Sequence, residues 1–251
     1  MKTVAMILAA GRGTRLAPLT DSTPKALVKV GGKPMLERVI RLLQAFGIEH
    51  FVVNVHHHAQ QIVDFLKANN NFGAKIQISD ETERLLDTGG AILKATPLFE
   101  GFDNILIHNA DILDDIDIRR MIDEHTRNHA DATLLVGDRK SSRYLYFYKT
   151  TMQLAGWQNT KTGETLPSGF VPCTTTTTTI PLAFSGVHIF STRLLEPLKE
   201  YAPGPIFSII PFYVSLCQKA DIKAYLPREK YQWFDIGSIE KLRQAEQQFR
   251  H

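Results

Sequence analysis

A glycine-containing loop near the start of the chain carries the residues best suited to bind an anion. The apolar residues 4–8 predict a buried strand, and the loop continues from it as Leu8-Ala9-Ala10-Gly11-Arg12-Gly13-Thr14-Arg15-Leu16. Two glycines let backbone N–H groups approach an anion closely, and Arg15 and Lys25 add positive charge. Because α/β folds bind ligands at the carboxyl ends of strands, this loop predicts a phosphate site.

The spacing of the loop differs from that of two common phosphate-binding loops. Leu16 stands where a dinucleotide fingerprint has its third glycine, and no Gly-Lys-Ser or Gly-Lys-Thr follows at P-loop distance. A hydride-transferring enzyme and a P-loop ATPase are therefore disfavoured. A plain strand and turn would explain the glycines, but it would leave the positions of Arg15 and Lys25 without a reason.

An aspartate stands at the end of another predicted strand. Residues 104–108 predict a buried strand that delivers Asn109-Ala110-Asp111 at its carboxyl end. A carboxylate at this place can hold Mg²⁺, which takes oxygen ligands and bridges to nucleotide phosphates. The alternative is a helix-capping role for Asp111, since Asp is a favoured N-cap residue before the segment that starts at Ile116.

Hydrophobic periodicity predicts the elements that position these residues. Met35, Leu36, Val39, Ile40 and Leu43 form one face of a helix that ends at Gly47. Further helices are expected around residues 62–66 and at 119–129, 194–201, 208–220 and 239–249, and further strands at 51–55, 75–79, 132–137, 181–190 and 222–226. Gly89-Gly90 marks a close backbone approach at a helix start, and residues 144–158 predict a β-ribbon lying over the N-terminal half. The pattern predicts an α/β fold with a Rossmann-like mixed, mostly parallel sheet, helices on both faces and a small β-ribbon insertion.

Length and composition limit the classes of protein that fit. The 251 residues are within the range that α/β folds occupy as one domain, so we expect a single domain over residues 1–251. A formal net charge of +3 gives no reason to expect nucleic-acid or membrane binding. Cys173 and Cys217 fit no metal or redox spacing. With no signal peptide and no apolar run of membrane-spanning length, we expect a soluble cytoplasmic protein.

The motifs together resemble a known family. The loop at residues 8–16, followed by Pro18-Leu19-Thr20 and Pro24-Lys25-Ala26-Leu27, resembles the signature of the nucleoside-triphosphate:sugar-1-phosphate nucleotidyltransferases. Trp233-Phe234-Asp235-Ile236-Gly237-Ser238 resembles the element that closes the catalytic domain in that family. The resemblance implies a nucleotide-diphospho-sugar transferase fold, with a nucleotide-binding half at about 1–112 and a sugar-phosphate-binding half at about 113–251. It also implies Mg²⁺ as cofactor, a nucleoside triphosphate and a sugar 1-phosphate as substrates, and a monomer or small homo-oligomer.

The same resemblance implies roles for individual residues. Arg15 would hold the leaving phosphates, Lys25 would hold the reacting α-phosphate, and Asp111 and Asp235 would share the metal ion. Nucleotide contacts are implied for Leu8, Ala10, Gly11, Arg12, Gly13, Thr14, Leu86, Gly89 and Asn109, and sugar-phosphate contacts for Asp138, Gly186 and Trp233. A turn role for Asp235 and a plain helix entry at residues 86–89 are the structural alternatives.

Two other classes of function fit parts of the sequence. A non-catalytic sensor of sugar nucleotides would not need all four charged residues at positions 15, 25, 111 and 235. A glycosyltransferase that consumes nucleotide sugars is expected to carry an Asp-x-Asp metal motif, and Asp111-Ile112-Leu113-Asp114 has a different spacing. No hexapeptide repeats follow the last predicted helix, so we expect no second, acyltransferase activity.

Two runs of identical residues receive no chemical role. Consecutive side chains at His56-His57-His58 point in different directions, so we expect this run to bind no catalytic metal. Residues 174–179 are all threonine, which favours an extended or edge conformation.

Overall fold

Four parallel strands lie side by side in a ten-stranded sheet in the computed structural model, which describes residues 1–172 and 178–248. They are β1 (Thr3–Leu8), β4 (His50–Val55), β5 (Lys75–Asp80) and β6 (Asn104–Asn109), in the order β6-β1-β4-β5. Because these strands are parallel, their carboxyl ends lie at one edge of the sheet, where the predicted phosphate loop begins.

The other half of the sheet contains strands of both directions. β12 (Thr179–Ser191) pairs antiparallel with β6 and with β8 (Ala132–Gly137), and β13 (Ile222–Tyr225) pairs parallel with β8. The sheet is therefore mixed, as the sequence predicts, and its parallel strands run from β6 to the edge strand β5.

The β-ribbon belongs to this sheet, which corrects the prediction that it lies over the N-terminal half. Its strands β9 (Arg143–Tyr148), β10 (Leu154–Asn159) and β11 (Thr165–Leu166) are antiparallel. The cause is the length of β12, whose 13 residues pair with β9 at residues 179–182 and with β6 at residues 187–191. The ribbon therefore extends the sheet on the far side of β12.

Helices cover both faces of the sheet, which confirms the predicted fold class. Val4 and Met6 of β1 point into one apolar layer and Ala5 and Ile7 into the other, as the period of a strand requires. The first layer packs against α3 (Asp87–Lys94), α5 (Leu195–Tyr201) and α6 (Ile209–Leu216), and the second against α1 (Met35–Ala45), α2 (Ala59–Ala68) and α4 (Ile118–Arg127).

Two short pairs of strands stand outside the main sheet. They are β2 (Lys29–Val30) with β3 (Lys33–Pro34), and β7 (Ile112–Asp114) with β14 (Trp233–Asp235). The last helix, α7 (Ile239–Gln248), buries Leu242 in a small apolar cluster with Leu16 and Leu113. The β7–β14 pair thus joins the end of the chain to the segment that follows β6.

Two helix ends differ from the prediction for local reasons. α4 begins at Ile118 because Asp117 caps it, accepting a hydrogen bond from the Arg120 amide at 3.3 Å, so this capping role does not belong to Asp111. α6 ends at Leu216, short of the predicted residue 220. There the side-chain amide of Gln153 donates to the carbonyl oxygens of residues 217 and 220, so these groups beyond the last helical residue have a partner without a longer helix.

The two cysteines and the threonine run are segments for which the sequence predicts no catalytic or binding role. Cys217 is buried with a free thiol, whereas Cys173 and residues 174–177 of the threonine run lie outside the described residues. Within the described residues, every helix is too short or too polar to cross a membrane.

Candidate active site

A cavity of about 410 Å³ opens at the carboxyl edge of the parallel strands. The four strands contribute Leu8, Asn54, Glu81 and Asn109, at or just after their carboxyl ends. The other lining residues come from loops, from α3 and from one distant segment; they are Ala9, Ala10, Gly11, Lys25, Ala26, Leu85, Asp87, Thr88, Ala110, Asp111 and Ile206. Its volume is typical of small-molecule sites, and it lies where the predicted phosphate loop, Lys25 and Asp111 meet.

The predicted phosphate loop turns back on itself at Gly13. This residue has a φ of +67°, and a Cβ there would lie 2.8 Å from Thr20 Cγ2 and 3.0 Å from Lys25 Cβ, so glycine is needed for both conformation and packing. The Thr20 hydroxyl donates to the Gly13 carbonyl oxygen at 2.9 Å. The other loop residues divide into those that line the cavity, Leu8, Ala10 and Gly11, and those exposed to solvent, Arg12, Thr14 and Arg15.

A buried polar network ties this loop to two neighbouring loops. The amide of Ala9 donates to Asn54 Oδ1 at 2.6 Å, and Asn54 Nδ2 donates to Glu81 Oε1 at 2.8 Å. The amide of Leu86 donates to Glu81 Oε2 at 3.1 Å. Burial raises the pKa of Glu81, and these hydrogen bonds act in the opposite direction. Neither side chain is predicted from the sequence, where the available signal is a polar Asn54 inside an otherwise apolar strand.

The segment predicted to face the nucleotide base lies partly behind the cavity wall. Leu85, Asp87 and Thr88 line the cavity, whereas Leu86 and Gly89 are buried outside its described lining. Gly89 and its neighbour at position 90 lie in the first turn of α3, at a helix start as predicted.

The close approach permitted by these glycines is to another part of the chain. A Cβ on Gly90 would lie 2.3 Å from the Pro205 carbonyl oxygen, and one on Gly89 would lie 2.4 Å from Phe207 Cε2. The amide of Gly89 donates to the Phe207 carbonyl oxygen at 2.8 Å. This contact brings Ile206 into the cavity wall, which the sequence analysis did not anticipate.

The pairing of β7 with β14 brings Asp235 beside Asp111. Asp235 is opposite Ile112, and the amide of Ile236 donates to the Asp111 carbonyl oxygen at 2.8 Å. Asp111 lines the cavity, and Asp235 stands next to it in the chain pairing, outside the described lining.

Positive side chains surround the two carboxylates. Lys25 Nζ donates to Asp111 Oδ2, and Lys241 Nζ donates to Asp235 Oδ2 at 2.7 Å. A Cβ on Gly237 would lie 3.0 Å from Arg15 Nη2 and 2.6 Å from Asp235 Oδ1. The guanidinium of Arg15 therefore also lies near the Asp235 carboxylate. The predicted loop cations and the predicted acids are thus brought together, and Lys241 is an addition that the sequence analysis missed.

A second cluster lies on the β12 side of these carboxylates. Gly186 has a φ of +78°, and a Cβ there would lie 2.8 Å from Asn109 Nδ2, so glycine lets β12 approach the cavity residue Asn109. Trp233 Nε1 donates to the Ser185 carbonyl oxygen at 2.9 Å. Asp138, a predicted sugar-phosphate residue, is exposed, and the next residue, Arg139, packs on Trp233 instead.

The three consecutive histidines lie between β4 and α2. His58 precedes α2 with a φ of +53°, and its ring centroid lies 3.9 Å from that of His57. In the part of the chain that the structure describes, no three His, Cys, Asp or Glu side chains form a group that could hold a metal ion. The absence of a metal role for this run stays a prediction.

The chain matches the model of one family, nucleotidyl transferase, over residues 4–147. It is 31% identical over 236 residues to the N-acetylmuramate alpha-1-phosphate uridylyltransferase of Caulobacter vibrioides, covering 93% of this chain and 91% of that protein. It is 33% identical over 134 residues to mannose-1-phosphate guanylyltransferase 1 of Arabidopsis thaliana, covering 53% of this chain and 37% of that protein.

A solved structure shares the architecture. The crystal structure of HddC from Yersinia pseudotuberculosis complexed with GMP-PN superposes with a TM-score of 0.75 at 24% identity, covering 99% of this chain and 100% of that one. At this identity the likeness establishes the fold.

Proposed function

Because the chain belongs to the nucleotidyl transferase family and is a sugar-1-phosphate nucleotidyltransferase, we propose that it joins UTP and N-acetylmuramic acid 1-phosphate, releasing pyrophosphate. The uridylyltransferase relative that aligns over 93% of the chain supports this choice of sugar and base. The observation that carries the site assignment is the contact of Lys25 with Asp111 at the mouth of the phosphate loop, beside Asp235.

The reaction requires positioning and neutralisation more than proton transfer. An oxygen of the sugar 1-phosphate forms a bond to the α-phosphorus, and the bond from that phosphorus to the bridging oxygen breaks, so pyrophosphate leaves with the electron pair. A sugar phosphate is already ionised at neutral pH, so no general base is needed. The work of the protein is to align the two anions in line and to offset their charge.

We assign the cations of the site to the reacting phosphates. Lys25 lines the cavity and would contact the α-phosphate, whereas Arg15, exposed at the rim, would hold the phosphates that leave. Ala10 and Gly11 line the same wall, and their amides would donate to phosphate oxygens. Asn109 would orient the nucleotide from the end of β6.

The donor set fits the divalent cation that this family generally uses, and we propose Mg²⁺. Asp111 and Asp235 supply two carboxylates, and Mg²⁺ is usually held by one or two carboxylates plus substrate phosphates. When bound, the ion neutralises charge that develops on the phosphates. Lys25 and Lys241 balance these carboxylates in the protein alone.

We propose that the two halves divide the substrates. The nucleotide half, about residues 1–112, supplies nearly all of the described cavity lining, and the sugar half, about 113–251, supplies Gly186 and Trp233. Ile206 is the exception, since it completes the nucleotide wall from the second half. We also propose a cytoplasmic monomer or small homo-oligomer, which cell fractionation and light scattering would test.

A pyrophosphate-release screen tests the proposed substrates. Four nucleoside triphosphates are assayed against a panel of sugar 1-phosphates that includes N-acetylmuramic acid, N-acetylglucosamine, glucose and mannose 1-phosphate. We expect the highest kcat/KM for UTP with N-acetylmuramic acid 1-phosphate. A preference for GTP with mannose 1-phosphate would favour the guanylyltransferase alternative, to which the Arabidopsis relative also points. Release with no pair would reject the proposal.

A further inference from the structure

The sugar side of the site holds a guanidinium that has no carboxylate partner within the described residues. Arg139 Nη1 donates to Ser185 Oγ at 2.9 Å, and Arg139 Nη2 donates to the Phe184 carbonyl oxygen at 2.6 Å. Its Cζ lies 3.9 Å from the centroid of the Trp233 ring. These contacts fix the plane of the guanidinium and use two of its five N–H donors, so further donors are available for an anion.

The surrounding chain makes room for this group. A Cβ on Gly137 would lie 2.6 Å from Arg139 Nη1 and 3.1 Å from the Tyr231 hydroxyl, so a larger residue would displace both. Burial lowers the pKa of Arg139, and Tyr231 and Asp235 act in the opposite direction. Arginine remains charged at such a site, so the protein keeps a half-buried cation whose desolvation an anionic ligand would offset.

The position of Arg139 determines which part of the substrate its guanidinium can contact. Trp233 lies two residues before Asp235 in β14, so their side chains share one face of that strand. Arg139 stacks on Trp233 and donates a hydrogen bond to β12. Glu81 and Thr88 line the cavity next to β5, which is three strands away from β6, the neighbour of β12. In the proposed complex, a ligand group that reaches Arg139 would therefore belong to the sugar and not to the base.

We propose that Arg139 binds a second anion of the sugar substrate, a carboxylate carried by a sugar 1-phosphate, and so sets a preference for acidic over neutral sugars. This inference rests on the proposed function. A planar guanidinium with its orientation fixed matches the two oxygens of a carboxylate. The sugar 1-phosphate is the other anion available, but it must react beside Lys25 and Asp111, whereas Arg139 is held at Ser185 and Trp233.

Matched substrates test this specificity role. N-acetylmuramic acid 1-phosphate and N-acetylglucosamine 1-phosphate differ by the ether that carries the carboxylate. In Arg139→Gln we expect kcat/KM for the acidic sugar to fall about 10- to 100-fold, mainly through KM, as for loss of a hydrogen bond to a charged group. The value for the neutral sugar should change little. Arg139→Lys should lie between, and the exposed neighbour variant Lys140→Gln should keep the wild-type ratio.

Each other outcome overturns the inference in a distinct way. Equal losses for both sugars would show that Arg139 binds the shared phosphate or only supports the fold. A wild-type preference for the neutral sugar would reject the carboxylate and leave the reaction class intact. If no sugar 1-phosphate releases pyrophosphate, the proposed function fails, and calorimetric binding of the two sugar phosphates to wild type and Arg139→Lys still decides whether Arg139 distinguishes them.

Discussion

Asp111 and Asp235, which are far apart in the sequence, are joined by the backbone: the residue after Asp235 donates its amide to the Asp111 carbonyl oxygen at 2.8 Å. This pairing fixes the backbone of one aspartate relative to the other, and Lys25 and Lys241 hold their carboxylates before any ligand binds. Fixed charges that need no rearrangement during a reaction are the main source of electrostatic catalysis.

We expect Asp111→Asn and Asp235→Asn each to lower kcat on the order of 100-fold and to weaken the dependence of rate on Mg²⁺, because Asn keeps the shape and removes the charge. The double variant should lose far less than the product of the single losses, since the two residues act as one unit. Steady-state rates over a Mg²⁺ titration measure both effects. Asp123→Asn, an exposed acid on α4, is the control. Full activity with unchanged metal dependence in either single variant would make that aspartate structural.

Lys25→Ala and Arg15→Ala should each reduce turnover on the order of 100-fold while leaving the melting temperature close to that of wild type. The reason is that Arg15 is exposed and that Lys25 contacts one half-buried carboxylate, so neither supports the apolar core. Thermal melts and initial rates are compared with Lys67→Ala, an exposed lysine of α2. Near-wild-type turnover in both variants would contradict the phosphate roles.

Replacing His56 and His57 by Gln and His58 by Asn should leave the Mg²⁺ concentration for half-maximal rate unchanged. Asn at position 58 tolerates the observed positive φ. The expected result follows from assigning the metal to two carboxylates. A large shift in that concentration would move the metal site towards the histidines.

Gly90→Ala should destabilise the protein by roughly 1–3 kcal/mol, because its methyl group has no room beside the Pro205 carbonyl oxygen. The segment that carries Ile206 must then move, so the KM for the nucleotide should rise as well. Denaturant melts and nucleotide titrations measure the two effects. Gly204→Ala, where a Cβ would have no neighbour within 4 Å, should change neither, and equal behaviour of the two variants would disprove the packing argument.

His188→Leu should make the protein less sensitive to acid. Burial lowers the pKa of His188 to about 3, and neither ring nitrogen has a hydrogen-bond partner in the described structure. Between an unfolded pKa of 6.5 and that folded value, the unfolded chain binds one more proton, so the free energy of unfolding falls as the pH falls. The limiting slope is about 1.4 kcal/mol per pH unit for this residue.

Denaturant melts between pH 7 and pH 5 should show that slope reduced in His188→Leu. His129→Asn, an exposed position with positive φ, should keep the wild-type slope. At pH 7 the Leu variant should be as stable as wild type, since it removes two unpaired nitrogens from the core. An unchanged slope would mean that His188 does not titrate between the folded and unfolded states.

The sequence was informative where local patterns decide the structure. The buried strands and the face of α1 could be predicted because their apolar residues recur with the period of the element. The directions of the side chains just after β8 could not be predicted, because both faces of that strand are buried and its residues show no alternation. The sequence therefore does not distinguish Asp138, which turns outward, from Arg139, which turns inward. Ile206 reaches the cavity through backbone bonds to distant residues, for which a single sequence has no local pattern.

The place of β12 in the strand order has a consequence for the growing chain. β6 pairs with β1 on one side, but its other edge pairs only with residues 187–191 of β12 in the described sheet. During synthesis from the N-terminus, the apolar edge of β6 is therefore uncovered until residues 187–191 have been made. Unpaired strand edges are prone to join other chains. Residues 1–112 thus depend on the rest of the protein for protection from aggregation as well as for Ile206 in the cavity wall.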